Sequence, residues 1–500
     1  MKNILEGIEK SARLFPKNIA VSDVSSKLSY EMLIKNSKKI AVSFKENAWR
    51  KKPIAILMDK SVKLATSMLA VLYSGNFYTV LDPEMPKDRM LKIFETLEPV
   101  AVLTNDKYKD LALELGNTDI FYYENAINEE IDEEYLYNIR RAMTDSETMY
   151  ILYTSGSTGN PKGTVISHKA AISYTDWVLE NFDINEKTIW GSQTPFYFSM
   201  SVTDLFGGLR SGGCLCIIPK KMFSFPLKLV EYMNENKINT IYWVPSALSL
   251  VAKWDTFSYD KPMYLKKILF AGEVMPNKQL NYWRRAYPDA YFANLFGPTE
   301  TTDICTWYHV DKEFKDEETL PIGKPCNNCF VLILDEDLKE ADKGELYVGG
   351  SFLADGYYNN PEKTKASFVQ NPLNKAYPEI LYKTGDLVSY NEYGQLIYLG
   401  RKDFQIKHMG YRIELGEIEA NMSAMEKMNS CACIYNETED KIVLIYEGRI
   451  KKDAVMEHAK KKLPPYMHPN VLVKVKAMPV NANGKIDRVY LKNNYNLMED

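Results

Sequence analysis

Eleven consecutive residues, YTSGSTGNPKG (153–163), hold three glycines, two serines, two threonines and a lysine behind the apolar run MYILYT (149–154). Glycine tolerates positive φ, so successive backbone N–H groups in such a loop can converge on an anion. Thr154, Ser155, Ser157 and Thr158 add hydroxyl donors, Gly156 and Gly159 give the backbone room, and Lys162 adds positive charge. A Walker A loop needs Gly-Lys-Ser/Thr at a helix start. The order here is Pro161-Lys162-Gly163, which predicts a phosphate loop of another kind.

Other stretches are weaker alone. LFGPTETT (295–302) is a Gly-Pro turn carrying Glu300, YKTGDL (382–387) sets Asp386 in a glycine turn, and NANGKID (481–487) reads as a hairpin with Lys485 after Asn-Gly. PFYFSMSVTD (195–204) mixes apolar residues with hydroxyls and one acid. Its Ser201 and Asp204 match S-x-x-D, which predicts a capping box at a helix start.

These residues need a scaffold. MYILYT (149–154), TIWGSQ (188–193), CLCIIP (214–219), NTIYWV (239–244), KKILFA (266–271) and AYFANL (290–295) read as strands. Helical spacing separates several of them, as in PLKLVEYMNENK (226–237) and NKQLNYWRRAYP (277–288). The alternation predicts an α/β fold with a helix-covered parallel sheet, and ligands beyond the carboxyl ends of its strands. After the densely charged segment 400–419 come a strand, DKIVLIYEG, and a helix, KKDAVMEHAKKKL, which read as a small second domain.

The chain has 500 residues and a net charge of −4, so no basic surface argues for nucleic acid. Glu6 and Glu9 interrupt the N-terminal segment, which does not read as a signal peptide, and no run reaches the roughly 18 apolar residues of a membrane span. Seven cysteines include one C-x-x-C pair, Cys326 and Cys329, without the second pair of a zinc ribbon. Buried apolar thiols in a cytoplasmic protein are expected.

The glycine loop resembles the signature of the adenylate-forming superfamily: acyl-CoA synthetases, luciferases and the adenylation domains of nonribosomal peptide synthesis. LSYEML (28–33), LDPEMPKDR (81–89), LFGPTETT, YKTGDL, the 400–419 segment and NANGKID resemble its other motifs, in order along almost the whole chain. FAGEVMPN (270–277) and DFQIKHMGYRIELGEIE (403–419) are most similar to D-alanine–carrier protein ligases.

The resemblance implies a large domain, 1–402, of parallel and mixed sheets covered by helices, and a small mobile α+β domain, 403–500. It implies two steps: ATP and a carboxylate give acyl-AMP, then a thiol takes the acyl group. Glu300 would hold Mg²⁺, Thr299 would donate to the α-phosphate, and Lys485 would bridge the carboxylate and the α-phosphate. Phe296, with Asn294 and Gly297, would meet adenine; Asp386 would accept from the ribose, and Arg401 would contact the nucleotide. Asp403 would be the hinge, and Gly410 would line the thiol tunnel.

In amino-acid-activating relatives the motif at 198–201 reads Phe-Asp-x-Ser, and its Asp holds the α-ammonium. Here it reads Phe198, Ser199, Met200, Ser201. The family pattern assigns Thr203, Trp243, Leu269, Ala271, Leu295, Asp303 and Ile304 to the same pocket. The missing acid disfavours a standard α-amino acid, D-alanine included. An aryl, hydroxy or short acyl acid is the leading expectation, and a β- or ω-amino acid reaching Asp303 is the other. The acceptor is expected to be the phosphopantetheine thiol of a separate acyl or peptidyl carrier protein, because no carrier domain follows residue 500; coenzyme A is the alternative. A catalytically silent relative fits poorly with Lys162, Glu300, Asp386 and Lys485 all present.

Overall fold

The computed structural model describes residues 1–116, 118–156, 160–480 and 486–498. The chain forms two compact units. The larger comprises Met1–Pro83, Leu97–Leu152 and Gly163–Lys402; the smaller gathers Glu84–Thr96, Tyr153–Lys162 and Asp403–Asp500.

A nine-stranded sheet carries the site of the larger unit. Its parallel interior runs Tyr291–Phe296, Lys267–Ala271, Thr240–Trp243, Ile189–Ser192, Cys214–Ile217, Ile19–Ser22. Antiparallel strands close both edges. The interior strands are short apolar runs, as expected of strands covered on both faces; Thr240–Trp243 is buried at every position. Five of the six strands read from the sequence lie here. The sixth, Thr148–Thr154, belongs instead to a seven-stranded sheet with Phe77–Leu81 and Pro53–Leu57. Hydrophobic pattern marks a buried strand but carries no information on which sheet it joins.

A third, antiparallel sheet pairs Lys343–Gly350 with Ile380–Tyr390, which in turn pairs Leu396–Arg401. Helices His168–Asn181 and Ser201–Ser211 turn mostly buried faces inward. Their side chains share one apolar cluster with both large sheets, and that cluster makes the inner ends of these elements rigid supports.

In the smaller unit a hairpin, Gln405–His408 with Tyr411–Glu414, leads into helix Leu415–Ser423. A three-stranded sheet follows, Met428–Asn436, Lys441–Gly448 and Val471–Val475, with helix Lys452–Lys462. The expected strand and helix of this region both form.

Candidate active site

Strand Tyr291–Phe296 ends at Gly297 and Pro298, and the chain doubles back. A side chain on Gly297 would come within 2.3 Å of the Asp303 carbonyl oxygen, so only glycine lets the two limbs pack. Between them, Thr302 adopts φ 67°, ψ −54°, and the Asp303 N–H donates to the Thr301 carbonyl at 2.8 Å. This is a γ-turn of the strained, positive-φ form, rare for a β-branched residue. The Thr302 hydroxyl holds it by donating to the Phe352 carbonyl at 2.7 Å. Glu300, inside the loop, is fully buried, and its carboxylate accepts from the Tyr357 hydroxyl at 2.6 Å.

The strained turn aims Asp303 at three hydroxyls from three elements. Tyr174 (helix His168–Asn181) and Thr203 (helix Ser201–Ser211) each lie 2.9 Å from its Oδ2, and Tyr242 (strand Thr240–Trp243) lies at 3.1 Å. Burial pushes the Asp303 carboxyl up to about 6, while hydrogen bonds from Thr203, Tyr174, Tyr242 and Ser199 pull it back. Ser199 also accepts from the Thr299 hydroxyl at 3.4 Å, so it stands between Thr299 and Asp303.

The capping box expected at Ser201 and Asp204 does not form. Met200 is the N-cap, and Ser201 is the first helical residue. Its hydroxyl donates to the Phe198 carbonyl at 2.7 Å instead. The helix starts through tight backbone turns from Phe198, Ser199 and Met200, which leaves no N-cap role for Ser201. Asp204 is buried and faces Ser192 and Lys60. Lys60 donates to the Ser192 carbonyl at 2.9 Å and to its hydroxyl at 2.8 Å, and that hydroxyl bonds Asp204. Burial raises the Asp204 carboxyl and lowers the Lys60 ammonium. The Lys60 ammonium also lies 5.1 Å from the Phe196 ring centre, a cation–π contact.

Trp243, expected in the pocket, lies on the opposite face of its strand from Tyr242. Its indole N–H donates to the Gly191 carbonyl at 2.7 Å, and it packs on Phe223 and Trp283 in the core. Side chains alternate along a strand, and the residue that reaches Asp303 is Tyr242. Tyr242 is registered with Leu269, and Ala271 with Leu295, so the residues expected to line a pocket come from adjoining strand positions. Met200 seats its sulfur over Gly272, 3.6 Å from where a Cβ would be. Phe198 packs on Tyr197 with ring centres 4.8 Å apart, and Ile304 is buried.

Of the residues expected to meet the nucleotide, Phe296 packs on Tyr398 with ring centres 5.7 Å apart, and the Asn294 amide donates to the Pro321 carbonyl at 2.8 Å. Asp386 and Arg401 sit directly opposite on paired strands and form a buried ion pair of 2.7 Å.

In the smaller unit, the Ser155 hydroxyl donates to the Arg412 carbonyl at 2.7 Å, and the Gly156 N–H donates to Glu417 at 3.2 Å. The Thr154 hydroxyl is buried with no partner among the described residues, and Lys162 opens strand Lys162–Ser167. Asp403 accepts from the Gln405 N–H at 3.2 Å, and Gly410, at φ 81°, makes the tip of the hairpin. Ser157, Thr158, Gly159 and Lys485 lie outside the described residues.

Sequence reasoning missed Lys60, Tyr174 and Tyr242, and read Asp204 as a helix cap. A lysine after an apolar strand, and tyrosines inside apolar runs, carry no local signal; only the tertiary fold gathers them. Burial raises the thiols of Cys326 and Cys329, as expected of apolar, buried cysteines.

The sequence matches the AMP-binding enzyme family over residues 8–358. The chain belongs to that family. It is 32% identical over 510 residues to the D-alanine–D-alanyl carrier protein ligase of Bacillus licheniformis, covering 98% of this chain and 99% of that one. It is 30% identical to tyrocidine synthase 1 of Brevibacillus parabrevis over 97% of its own length but only 44% of the synthase. Among solved structures, the o-succinylbenzoate CoA synthetase of Bacillus subtilis shares the fold with a TM-score of 0.84 at 20% identity, covering 99% of this chain and 98% of that one. This AMP-binding enzyme is an adenylate-forming ligase that uses ATP. Among the described residues no helix is long and apolar enough to cross a membrane.

Proposed function

We propose that this enzyme activates a small carboxylic acid that lacks a standard α-amine and passes it to the phosphopantetheine thiol of a separate carrier protein. In the first step a carboxylate oxygen attacks the α-phosphorus of ATP, and the bond to pyrophosphate breaks. In the second the thiol sulfur bonds the acyl carbon, AMP leaves, and the thiol proton is released. Both steps crowd negative charge, so fixed donors and cations carry most of the catalysis.

One observation carries this reading: a single loop, 296–304, delivers an aromatic face, a hydroxyl, a buried carboxylate and a pocket acid. Phe296 faces the base, Thr299 donates to the α-phosphate, and Glu300, a hard oxygen donor held by Tyr357, is suited to Mg²⁺. Bound there, Mg²⁺ would offset phosphate charge. The unpartnered Thr154 hydroxyl supports a phosphate beside the glycine loop. Asp386 and Arg401 address the ribose side. Lys485 bridges the attacking carboxylate and the α-phosphate.

The carrier-protein ligases among the relatives support a carrier as acceptor. Ser199 separates this chain from a standard amino-acid ligase, because a neutral hydroxyl does not balance a buried ammonium. Domains at 1–402 and 403–500, rotating about Asp403 with Gly410 on the thiol path, complete the proposal, and the cytoplasm is its setting. ATP–pyrophosphate exchange across a panel of acids tests it. Exchange with D- or L-alanine alone contradicts the substrate class, and acylation of coenzyme A without any carrier contradicts the acceptor.

A further inference from the structure

Asp303 is 2% exposed, and the titratable groups that act with it are Tyr150, Tyr174, Tyr242, Cys326 and Asp204. None of these is a cation. The neighbouring acid, Asp204, has Lys60. Lys60 serves Asp204 and leaves Asp303 without a cation, and a buried carboxylate without a cation is costly.

The hydrogen bonds show the same shortfall. Tyr174, Thr203 and Tyr242 all contact Oδ2 of Asp303, and the Tyr174 and Thr203 hydroxyls also lie 2.7 Å from each other. Each hydroxyl has one proton, so three protons serve four close oxygen–oxygen contacts. A proton on Asp303 completes the set; without it, the carboxylate needs a positive charge beside it. The strained Thr302 turn holds the carboxyl in this cage, and Ser199 links it to Thr299.

The geometry points to Asp303 as the receptor for a substrate ammonium, so that among small acids the pocket selects those whose amine stands beyond the α-carbon. This rests on the adenylating reading above and narrows its substrate. By the resemblance above, Ser199 stands with a neutral hydroxyl where amino-acid-activating relatives keep the acid for the α-ammonium. The carboxyl that can neutralise an amine stands one hydroxyl further from Thr299. A β- or ω-ammonium there balances the charges: two carboxylates, Lys60 and the guest.

ATP–pyrophosphate exchange with matched pairs tests this: 3-aminopropanoate, 3-aminobutanoate and 4-aminobutanoate against propanoate and butanoate, with alanine as the α-amino control. At least one β- or γ-amino acid should exceed its amine-free partner, and alanine, by 10-fold or more. Asp303→Asn should reverse that ratio by about 100-fold, with ATP binding kept as measured by calorimetry. If Asp303→Asn does not fold, Thr203→Val serves, since it keeps the carboxyl and removes one donor. Its pH profile should move upward for amino acids and stay put for amine-free acids. Exchange confined to amine-free acids, or equal losses for both classes, overturns this inference and leaves adenylation standing. No exchange with any acid while ATP still binds overturns both.

Discussion

The Tyr242 hydroxyl lies 3.1 Å from the Asp303 carboxylate across 61 residues of sequence, and both are buried. A strand in the middle of the parallel sheet and a strained turn after the strand two places along meet at one oxygen. The contact places a titrating acid in the apolar interior, and that has a measurable cost.

Asp303 titrates near 6 in the folded chain against an ordinary 3.8. The folded protein therefore holds a proton that the unfolded chain has lost between those values, and stability falls as pH rises through them. The penalty is absent below the unfolded value and fully present above the folded one. At 1.36 kcal/mol per unit it amounts to ~3 kcal/mol. Asp303→Asn removes it. Thermal unfolding should show the variant matching the parent near pH 4 and exceeding it near pH 8. A gap independent of pH would mean that Asp303 does not titrate in this range.

Glu300 depends on Tyr357, whose hydroxyl donates to it at 2.6 Å. Glu300→Gln keeps the shape and removes the charge, so exchange should fall by roughly 100- to 1,000-fold. Tyr357→Phe should cost about 10-fold or less and raise the Mg²⁺ concentration needed for half-maximal exchange. Titrating Mg²⁺ against exchange rate in both variants measures this directly.

Asp386 and Arg401 form a buried pair at 2.7 Å. Removing one partner strands the other charge, which typically costs 3–5 kcal/mol. Asp386→Asn should lower both the melting temperature and ATP affinity. Adding Arg401→Met should restore much of the melting temperature while ATP binding stays weak. Recovery of binding in the double variant would remove both residues from the nucleotide site.

Strands and helices with strong apolar periodicity were legible from sequence because burial sets that pattern locally. So was the motif order that led to the family. Three details were not. Trp243 and Tyr242 differ by one position, and in a strand buried on both faces hydrophobicity cannot say which points to the pocket. Ser201 and Asp204 fit a capping pattern, yet the helix begins through backbone turns, and Asp204 is drawn inward by Lys60 through Ser192. Thr302 carries no sequence sign of its positive φ, because nothing in a threonine announces it. Each depends on residues distant in sequence.

Lys485 and adenylation form the centre of the account. The most direct measurement incubates the protein with ATP, Mg²⁺ and an accepted acid and identifies the products, for the parent and for Lys485→Ala. The parent should yield acyl-AMP and pyrophosphate in equal amounts. Lys485→Ala should bind ATP with similar affinity and form acyl-AMP at least about 100-fold more slowly. ADP as the product, or a Lys485→Ala variant of undiminished rate, would contradict it.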